Sequence, residues 1–187
     1  VAEAERAVMA ELAGRLSAAG IDCPGVSIGS TPAMSVVEDL AGITEVRPGN
    51  YVFYDYTQVC LGACEVRDCA LSVVASVVSS QPGAKHCVID AGALSLSKDP
   101  GPSWVRPRTL GEIYAAGSAD GRDDAAELAP DLRVVSLSQE HGIVNQNLPV
   151  GRRLRILPNH ACLAIPCFDH YILVRGQEVV GRAPICR

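Results

Sequence analysis

The residues best suited to metal chemistry in this chain are His160 and Cys162, in the stretch 158–162 (PNHAC). The stretch follows a strand-like run, residues 152–156, and side chains at i and i+2 of an extended chain face the same side. An imidazole nitrogen and a thiolate together suit Zn²⁺ or another borderline-soft divalent cation. Two protein ligands leave coordination positions for water or substrate, as in catalytic metal sites.

An i, i+2 pair is a weak signal on its own. A core histidine beside a buried free cysteine has the same spacing and is the commoner arrangement. A second group, Cys60, Cys64 and Cys69, has C-x3-C-x4-C spacing, which is wider than the C-x2-C pairs of most zinc sites, so we expect free thiols there. Cys69 and Cys87 adjoin apolar runs and are expected to be buried as small hydrophobic residues.

Composition argues against several classes of function. The chain has 187 residues, of which 48% are hydrophobic and only 4% aromatic, so its core is expected to be built from Val, Leu, Ile and Ala. The net charge of −5 and the lack of a basic patch with interleaved aromatics argue against nucleic-acid binding. No apolar run has the length of a membrane span, and no signal peptide opens the sequence. Eight cysteines in a chain of this length favour free thiols in a reducing, cytoplasmic compartment over a disulfide scaffold.

The first 46 residues have an α/β pattern. Apolar residues at three- and four-residue spacing predict a helix over 2–19, followed by a strand over 26–28 and a second helix over 33–40. This order is typical of parallel α/β sheets and barrels, in which the loop after a strand lies at the ligand-binding edge. The small residues of 29–32 could offer backbone N–H groups to a phosphate, although an ordinary capped turn has the same pattern.

Short strand-like runs dominate the remainder and favour a mostly antiparallel β domain. They cover residues 51–56, 70–78, 87–90, 134–137, 152–157, 171–174 and 179–180. Residues 117–130 are rich in Asp, Ala and Gly and are interpreted as a surface excursion. We place the boundary between the α/β pattern and the strand-rich pattern at 46/47. Because one βα unit cannot cover a barrel strand by itself, residues 1–46 are expected to be the C-terminal remnant of a barrel in a longer protein.

Six short motifs, in order along nearly the whole chain, resemble those of the D-serine dehydratase / D-threonine aldolase family, which is similar to alanine racemase in fold. They are residues 29–32 (GSTP), 45–55 (EVRPGNYVFYD), 68–71 (DCAL), 89–92 (IDAG), 139–142 (QEHG) and 158–162 (PNHAC). The resemblance implies an α+β chain. Residues 1–46 would be the last βα unit of a pyridoxal-phosphate TIM-like barrel, and residues 47–187 a mostly antiparallel C-terminal β domain with a metal site.

The resemblance also implies roles for individual residues. Gly29, Ser30 and Thr31 lie where the family's barrel meets the cofactor phosphate. Tyr51 is expected to line the same site, although a half-buried strand aromatic fits the pattern equally well. His160 and Cys162 match the zinc ligands of the family's dehydratase branch.

Four further residues remain without an assigned catalytic role. His141 lies in a family-typical motif, where a loop or dimer-interface position fits as well as a catalytic one. Asp169 is a candidate to support the metal pair, although acidic residues are mostly solvated. The only lysines, Lys85 and Lys98, do not match the family's Schiff-base lysine. We therefore predict that this chain contains no catalytic lysine, does not attach the cofactor covalently and is inactive alone.

The resemblance implies that the intact parent is a homodimeric lyase that uses pyridoxal 5′-phosphate and Zn²⁺ or another divalent cation. Its substrate would be a D-3-hydroxy amino acid. The reaction would be D-serine dehydration to pyruvate and ammonia, or retro-aldol cleavage of the D-threonine type. The alternative is a non-catalytic β domain that binds a metal or a partner, and the missing lysine favours it if the chain is a complete gene product.

Overall fold

In a computed structural model of the chain, residues 1–115, 127–176 and 178–186 are described. Their helices are α1 (Ala2–Ala18), α2 (Thr31–Met34), α3 (Tyr56–Cys60), α4 (Ala93–Leu96) and α5 (Ala161–Ala164), with 3₁₀ turns at Asn50–Val52, Val66–Asp68 and Ile165–Cys167. Their strands are β1 (Ser27–Ile28), β2 (Glu45–Val46), β3 (Val73–Ser80), β4 (Cys87–Ile89), β5 (Glu112–Tyr114), β6 (Leu128–Leu137), β7 (Gly142–Val144), β8 (Arg153–Leu157), β9 (His170–Arg175) and β10 (Glu178–Pro184).

The N-terminal part has the expected α/β order. Strand β1 pairs in parallel with β2, and α1 packs beside β1. The predicted helix over 33–40 is wrong, because α2 ends at Met34. The backbone N–H groups of Glu38 and Asp39 donate instead to the carboxylate of Glu3 on α1, at 2.8 and 3.4 Å. A tertiary acceptor therefore replaces the helical carbonyls.

The predicted antiparallel β domain is a closed barrel of six strands in the order β3-β4-β7-β6-β5-β8, with every neighbouring pair antiparallel. Closure removes the unpaired strand edges that an open sheet leaves exposed. Alternate residues of β3, namely Val73, Ala75 and Val77, are buried in the barrel core. Cys87 lies in the same core and Cys69 in a neighbouring buried cluster, which confirms their prediction as buried thiols.

Three local predictions differ from the structure. The aromatic run 51–56 is not a strand: it forms the Asn50–Val52 3₁₀ turn and the start of α3, because Asp55 caps that helix. Strands β5 and β7, of three residues each, are absent from the strands that the sequence pattern predicts. Strand β6 begins at Leu128, so residues 128–130 of the predicted excursion are strand, and residues 117–126 lie outside the described residues.

Two glycines allow the segment after β4 to pack directly on the turn between β6 and β7. A Cβ on Gly92 would lie 2.5 Å from the carbonyl oxygen of Gln139. A Cβ on Gly142 would lie 2.6 Å from the carbonyl oxygen of Ala91. Contact between backbones therefore accounts for the glycines in two of the six motifs, and it places α4 against α5.

The C-terminal strands β9 and β10 form an antiparallel hairpin apart from the barrel. The hairpin confirms the strands predicted at 171–174 and 179–180. The ring of Tyr171 lies 5.4 Å from that of Phe53, centroid to centroid, which ties the hairpin to the segment before α3. Among the described residues, no helix has both the length and the apolar character needed to cross a bilayer.

The α1 segment is expected to open more readily than the barrel. Of its residues only Ala2 is buried, and Val8 on its surface is 62% exposed. Local opening requires little free energy where few apolar contacts are lost. Hydrogen exchange should therefore be faster for the amides of α1 than for those of β3, and equal protection of the two elements would contradict this expectation.

A second prediction concerns Glu112 on β5, which is 7% exposed. Burial raises the pKa of its carboxyl above 4.5, and the Thr109 hydrogen bond and the charge of Arg133 offset this only in part. A raised pKa means that the stability contribution is complete below the unfolded-state pKa and is lost as pH rises through the folded-state pKa. The wild type should therefore lose stability relative to Glu112→Gln between pH 4 and pH 7. Urea unfolding of both proteins checks this, and a pH-independent difference would contradict it.

Candidate metal site

Strand β8 delivers the 158–162 stretch to the mouth of the barrel. Its last residues are completely buried, and Pro158 and Asn159 continue that burial up to His160. His160 is extended, with φ −141° and ψ 103°, and α5 begins at the next residue. The predicted same-face geometry of an extended pair is therefore wrong, because Cys162 lies in the first turn of a helix. The two residues remain neighbours across the point where extended chain becomes helix.

The side chain of Asn159 holds the point at which the extended chain becomes helical. Its side chain is completely buried, and its Nδ2 donates to the carbonyl oxygens of Asp99 and Thr109, each at 2.9 Å. Gly101, at φ +66°, lies close by: a Cβ there would be 3.4 Å from Asn159 Nδ2. The loop after α4 is thus held against the residue that precedes His160.

The same loop provides a carboxylate for His160. Asp99 Oδ2 lies 2.8 Å from His160 Nδ1. Burial raises the pKa of Asp99, but the His160 hydrogen bond, the Gly101 N–H and the charge of His160 together outweigh it, so the pKa is lowered. An ionised carboxylate only accepts hydrogen bonds, so Nδ1 must carry the proton. In neutral His160 the lone pair is then on Nε2, the arrangement of metal-binding histidines oriented by a carboxylate.

Cys162 is an exposed free thiol on α5. Partial desolvation, and after it the charge of Asp55, raise the pKa of Cys162 above its ordinary value of 9.0. The thiol is therefore protonated at neutral pH in the metal-free chain. A divalent cation would favour the thiolate, and binding would release the proton.

Asp55 holds the stretch from the opposite side. Its carboxylate is completely buried and caps α3 by accepting the N–H of Gln58 at 3.0 Å. It also accepts the N–H of Ala161, at 2.9 Å, and the side-chain amide of Asn50. Sequence analysis did not single out Asp55, although the pairing of Asp55 with Gln58 three residues later is a helix-start signal. The turn residues Asp99-Pro100-Gly101 gave no comparable indication of a partner for His160.

The four residues predicted to bind the cofactor fall into two positions. Ser30 caps α2, and Gly29, at φ +95°, donates its N–H to Glu5 Oε1 at 3.2 Å. Thr31 is buried and its hydroxyl accepts the N–H of Tyr51 at 3.0 Å, whereas the Tyr51 side chain is 55% exposed. The structure therefore brings Thr31 and Tyr51 together. Because Glu5 already occupies the Gly29 N–H, these residues do not complete a phosphate site by themselves.

The remaining residues considered in the sequence analysis are the two lysines, His141 and Asp169. Lys85 and Lys98 are exposed, and His141 is exposed in the turn between β6 and β7. The carboxylate that contacts His160 belongs to Asp99. Asp169 immediately precedes β9, and its carbonyl accepts the N–H of Ile185 at 2.8 Å.

In the second cysteine group, Cys69 is buried and Cys60 and Cys64 are partly buried. Cys64 and Cys69 share a thiol–thiol hydrogen bond, and Cys60 is hydrogen-bonded to Tyr56. Burial raises the pKa of Cys64 to about 11 and raises that of Cys69 further. These thiols are expected to stay protonated, in agreement with their prediction as free thiols.

The donors at the site suit a divalent cation. An imidazole with its Nδ1 held by a carboxylate and a nearby thiol provide two ligands of the types that Zn²⁺ prefers. In the part of the chain that the structure describes, no group of three or more His, Cys, Asp or Glu side chains is arranged to hold a metal ion. A cation bound here would therefore keep open coordination positions.

The described residues form a closed six-stranded antiparallel barrel, which carries the candidate ligands His160 and Cys162 and is joined to a short α/β unit. The chain belongs to the serine dehydratase family: residues 70–174, more than half of its length, match the family model described as "Putative serine dehydratase domain". The family resemblance inferred from the six motifs is thereby confirmed.

Two relatives illustrate the membership. The chain is 37% identical to D-threo-3-hydroxyaspartate dehydratase of Delftia sp. (strain HT23), over 91% of this chain and 46% of that protein. It is 32% identical to D-serine dehydratase of Dictyostelium discoideum, over 94% of this chain and 46% of that protein. The chain thus spans about half the length of these curated relatives.

Solved structures agree with the fold. The Delftia enzyme superimposes with a TM-score of 0.77 at 36% identity, covering 91% of this chain and 46% of that one. An alanine-racemase-like protein from Idiomarina loihiensis gives 0.73 at 32% identity, covering 85% and 43%. Solved structures of D-threo-3-hydroxyaspartate dehydratase include alanine variants of a histidine and of a cysteine two residues apart, and the cysteine variant is in a metal-free form.

The Asp99–His160 contact leads to a prediction about metal affinity. Asp99→Asn should weaken Zn²⁺ binding by about 10- to 100-fold, the usual cost of removing a partner that orients a ligand. Competition with a chromogenic chelator measures the affinity. Nitrogen NMR of His160 should also show the Nδ1–H form in the wild type and a mixture of tautomers in the variant.

Asp90→Asn provides the matched control, because the Asp90 carboxylate accepts a backbone hydrogen bond from Ser76 at 2.7 Å in another part of the barrel. That variant should bind Zn²⁺ as the wild type does. Equal affinities for the wild type and Asp99→Asn would show that Asp99 does not orient a metal ligand.

Proposed function

We propose that this chain is the C-terminal part of a lyase that acts on D-3-hydroxy amino acids with pyridoxal 5′-phosphate and a divalent metal ion, most simply Zn²⁺. The observation that carries the proposal is the His160 imidazole, held by Asp99 beside an accessible Cys162. Membership of the serine dehydratase family supports the reaction class. The two relatives described above are dehydratases, which favours elimination of water over retro-aldol cleavage.

The metal-binding residues have separable tasks in this proposal. Asp99 accepts the Nδ1 proton and so presents Nε2 of His160 to the cation. Cys162 supplies the second ligand after losing its thiol proton. A cation held here supplies Lewis-acid stabilisation to a substrate hydroxyl. With two ligands from the protein, the open positions are available to that hydroxyl or to water.

The cofactor is proposed to lie mainly against residues outside this chain. Gly29, Ser30 and Thr31 would contribute one turn beside its phosphate, and Tyr51 one wall, as the family resemblance implies. The exposed lysines, Lys85 and Lys98, are not assigned to it. Residues 1–46 would accordingly be the last βα unit of the TIM-like barrel, a proposal that the parallel pairing of β1 with β2 supports.

The proposal extends to assembly and location. The family resemblance implies a homodimer, and the eight free cysteines suit a reducing, cytoplasmic compartment. A non-catalytic β domain that binds a metal or a partner is the second candidate. The lack of a lysine suited to hold the cofactor would favour this candidate only if the 187 residues were a complete gene product. An in-frame barrel sequence upstream of Val1 in the encoding DNA would favour the lyase, and a start codon adjacent to Val1 the binding domain.

The metal ligands can be tested together. In the full-length protein that carries this chain, His160→Ala and Cys162→Ser should each lower the rate of pyruvate formation from D-serine by about 100-fold or more, because Lewis-acid assistance contributes several kcal/mol. Zinc content by elemental analysis should fall in parallel. Chelation should inactivate the wild type, and added Zn²⁺ should restore it.

Matched controls are available for both ligands. His86→Ala changes an exposed histidine in the turn before β4, and Cys167→Ser changes an exposed cysteine beyond α5. Both should keep zinc and activity. If the double variant of His160 and Cys162 kept them as well, the metal site would lie elsewhere.

A further inference from the structure

The buried carboxylate of Asp55 connects the start of α3 to Ala161, in the stretch 158–162, which lies 106 residues further along the sequence. Asp55 is completely buried, yet it accepts hydrogen bonds from three groups: the N–H of Gln58, the N–H of Ala161 and the amide of Asn50. A buried charge is tolerated only where such donors surround it. The Ala161 bond matters most for function, because that N–H belongs to the peptide that follows His160, and Ala161 is the residue between His160 and Cys162.

Capping alone does not account for this arrangement. A helix cap needs one side-chain oxygen, and Asp55 Oδ1 serves that purpose by accepting the Gln58 N–H. Its Oδ2 accepts from Ala161 instead. One carboxylate therefore performs two tasks, and only the second concerns the metal ligands.

Further hydrogen bonds join the start of α3 to the backbone carbonyls of Pro158 and Asn159. The N–H of Tyr56 donates to the Pro158 carbonyl at 3.2 Å. Thr57 donates to the Asn159 carbonyl through its N–H at 3.3 Å and its hydroxyl at 2.7 Å. Asp55, Tyr56 and Thr57 are consecutive residues. Together they hold the backbone of the 158–161 segment, through Pro158, Asn159 and Ala161.

We propose that Asp55 is a positioning residue for the metal site: by fixing the His160–Ala161 peptide, it sets the relative directions of the imidazole and the thiol. This inference rests on the proposed metal site. It assigns no contact between Asp55 and the metal. The consequence is that Asp55 affects how tightly and with what geometry the cation is held, beyond any effect on folding.

Two substitutions separate positioning from capping. Asparagine and serine are both good helix caps, so Asp55→Asn and Asp55→Ser retain an acceptor for the Gln58 N–H. Asparagine has one oxygen and presents an amide donor to the second N–H, and serine is too short to serve both groups. Asp68→Asn is the matched control: Asp68 also accepts a backbone N–H at a helix start, that of Glu65 at 2.8 Å, on an exposed turn.

The probe is Co²⁺ titrated into the 187-residue chain, with circular dichroism to verify folding. The thiolate-to-cobalt absorption band that Cys162→Ala removes identifies the site, since the chain has other cysteines. Asp55→Asn and Asp55→Ser should bind Co²⁺ about 10- to 100-fold more weakly and lose much of that band. Asp68→Asn should match the wild type in affinity and spectrum. A purely structural role for Asp55 would leave the spectrum of the folded variants unchanged.

The two possible failures are distinguishable. Wild-type affinity and a full band in folded Asp55→Asn and Asp55→Ser would overturn the role of Asp55 and leave the metal site intact. A wild-type chain without the Cys162-dependent band would overturn the metal site and the inference together. If Asp55→Asn does not fold, Asp55→Ser decides, because water can enter beside the smaller side chain and satisfy the Ala161 N–H.

Discussion

The site depends on one constraint: the residues between β8 and α5 are held by hydrogen bonds from two segments that are distant in sequence, the start of α3 and the loop after α4. Asp55 and Thr57 hold them on one side, and the Asp99 loop, through Asn159, on the other. The Asn159 amide and the Asp55 carboxylate are both completely buried, and the Asn159 Nδ2 group and both Asp55 oxygens have hydrogen-bond partners within the protein. The hydrogen bonds of these two side chains fix the position at which the extended chain becomes helical, and His160 is at that position.

The barrel makes this constraint effective. Strand β8 pairs with β3 on one side and β5 on the other, so its end cannot shift without disturbing two ladders. The backbone contact between Gly92 and Gln139 fixes the start of α4, and the loop beyond α4 contains Asp99. Thus the loop that contains Asp99 and the chain that leads to His160 are each attached to the barrel, as a preorganised site requires.

Sequence analysis predicted the architecture better than the details of the site. Short apolar, strand-like runs indicated β3 and β8, and apolar residues at helical spacing indicated α1. The prediction failed where side-chain hydrogen bonds determine the local structure. Glu3 accepts the N–H of Glu38, which a longer α2 would have bonded within the helix. Asp55 caps α3 within a run whose aromatic residues are typical of a strand. The partners of His160 and Ala161 are 61 and 106 residues away, and no local pattern carries that information.

The central claim is that one divalent ion is bound by His160 and Cys162. X-ray absorption at the zinc edge of the zinc-loaded chain tests it most directly, because it counts sulfur and nitrogen ligands by distance. We predict one sulfur at about 2.3 Å with nitrogen at about 2.0–2.1 Å, and loss of the sulfur in Cys162→Ser. Two or more sulfur ligands, or a sulfur retained in that variant, would contradict the account and would direct attention to Cys60, Cys64 and Cys69.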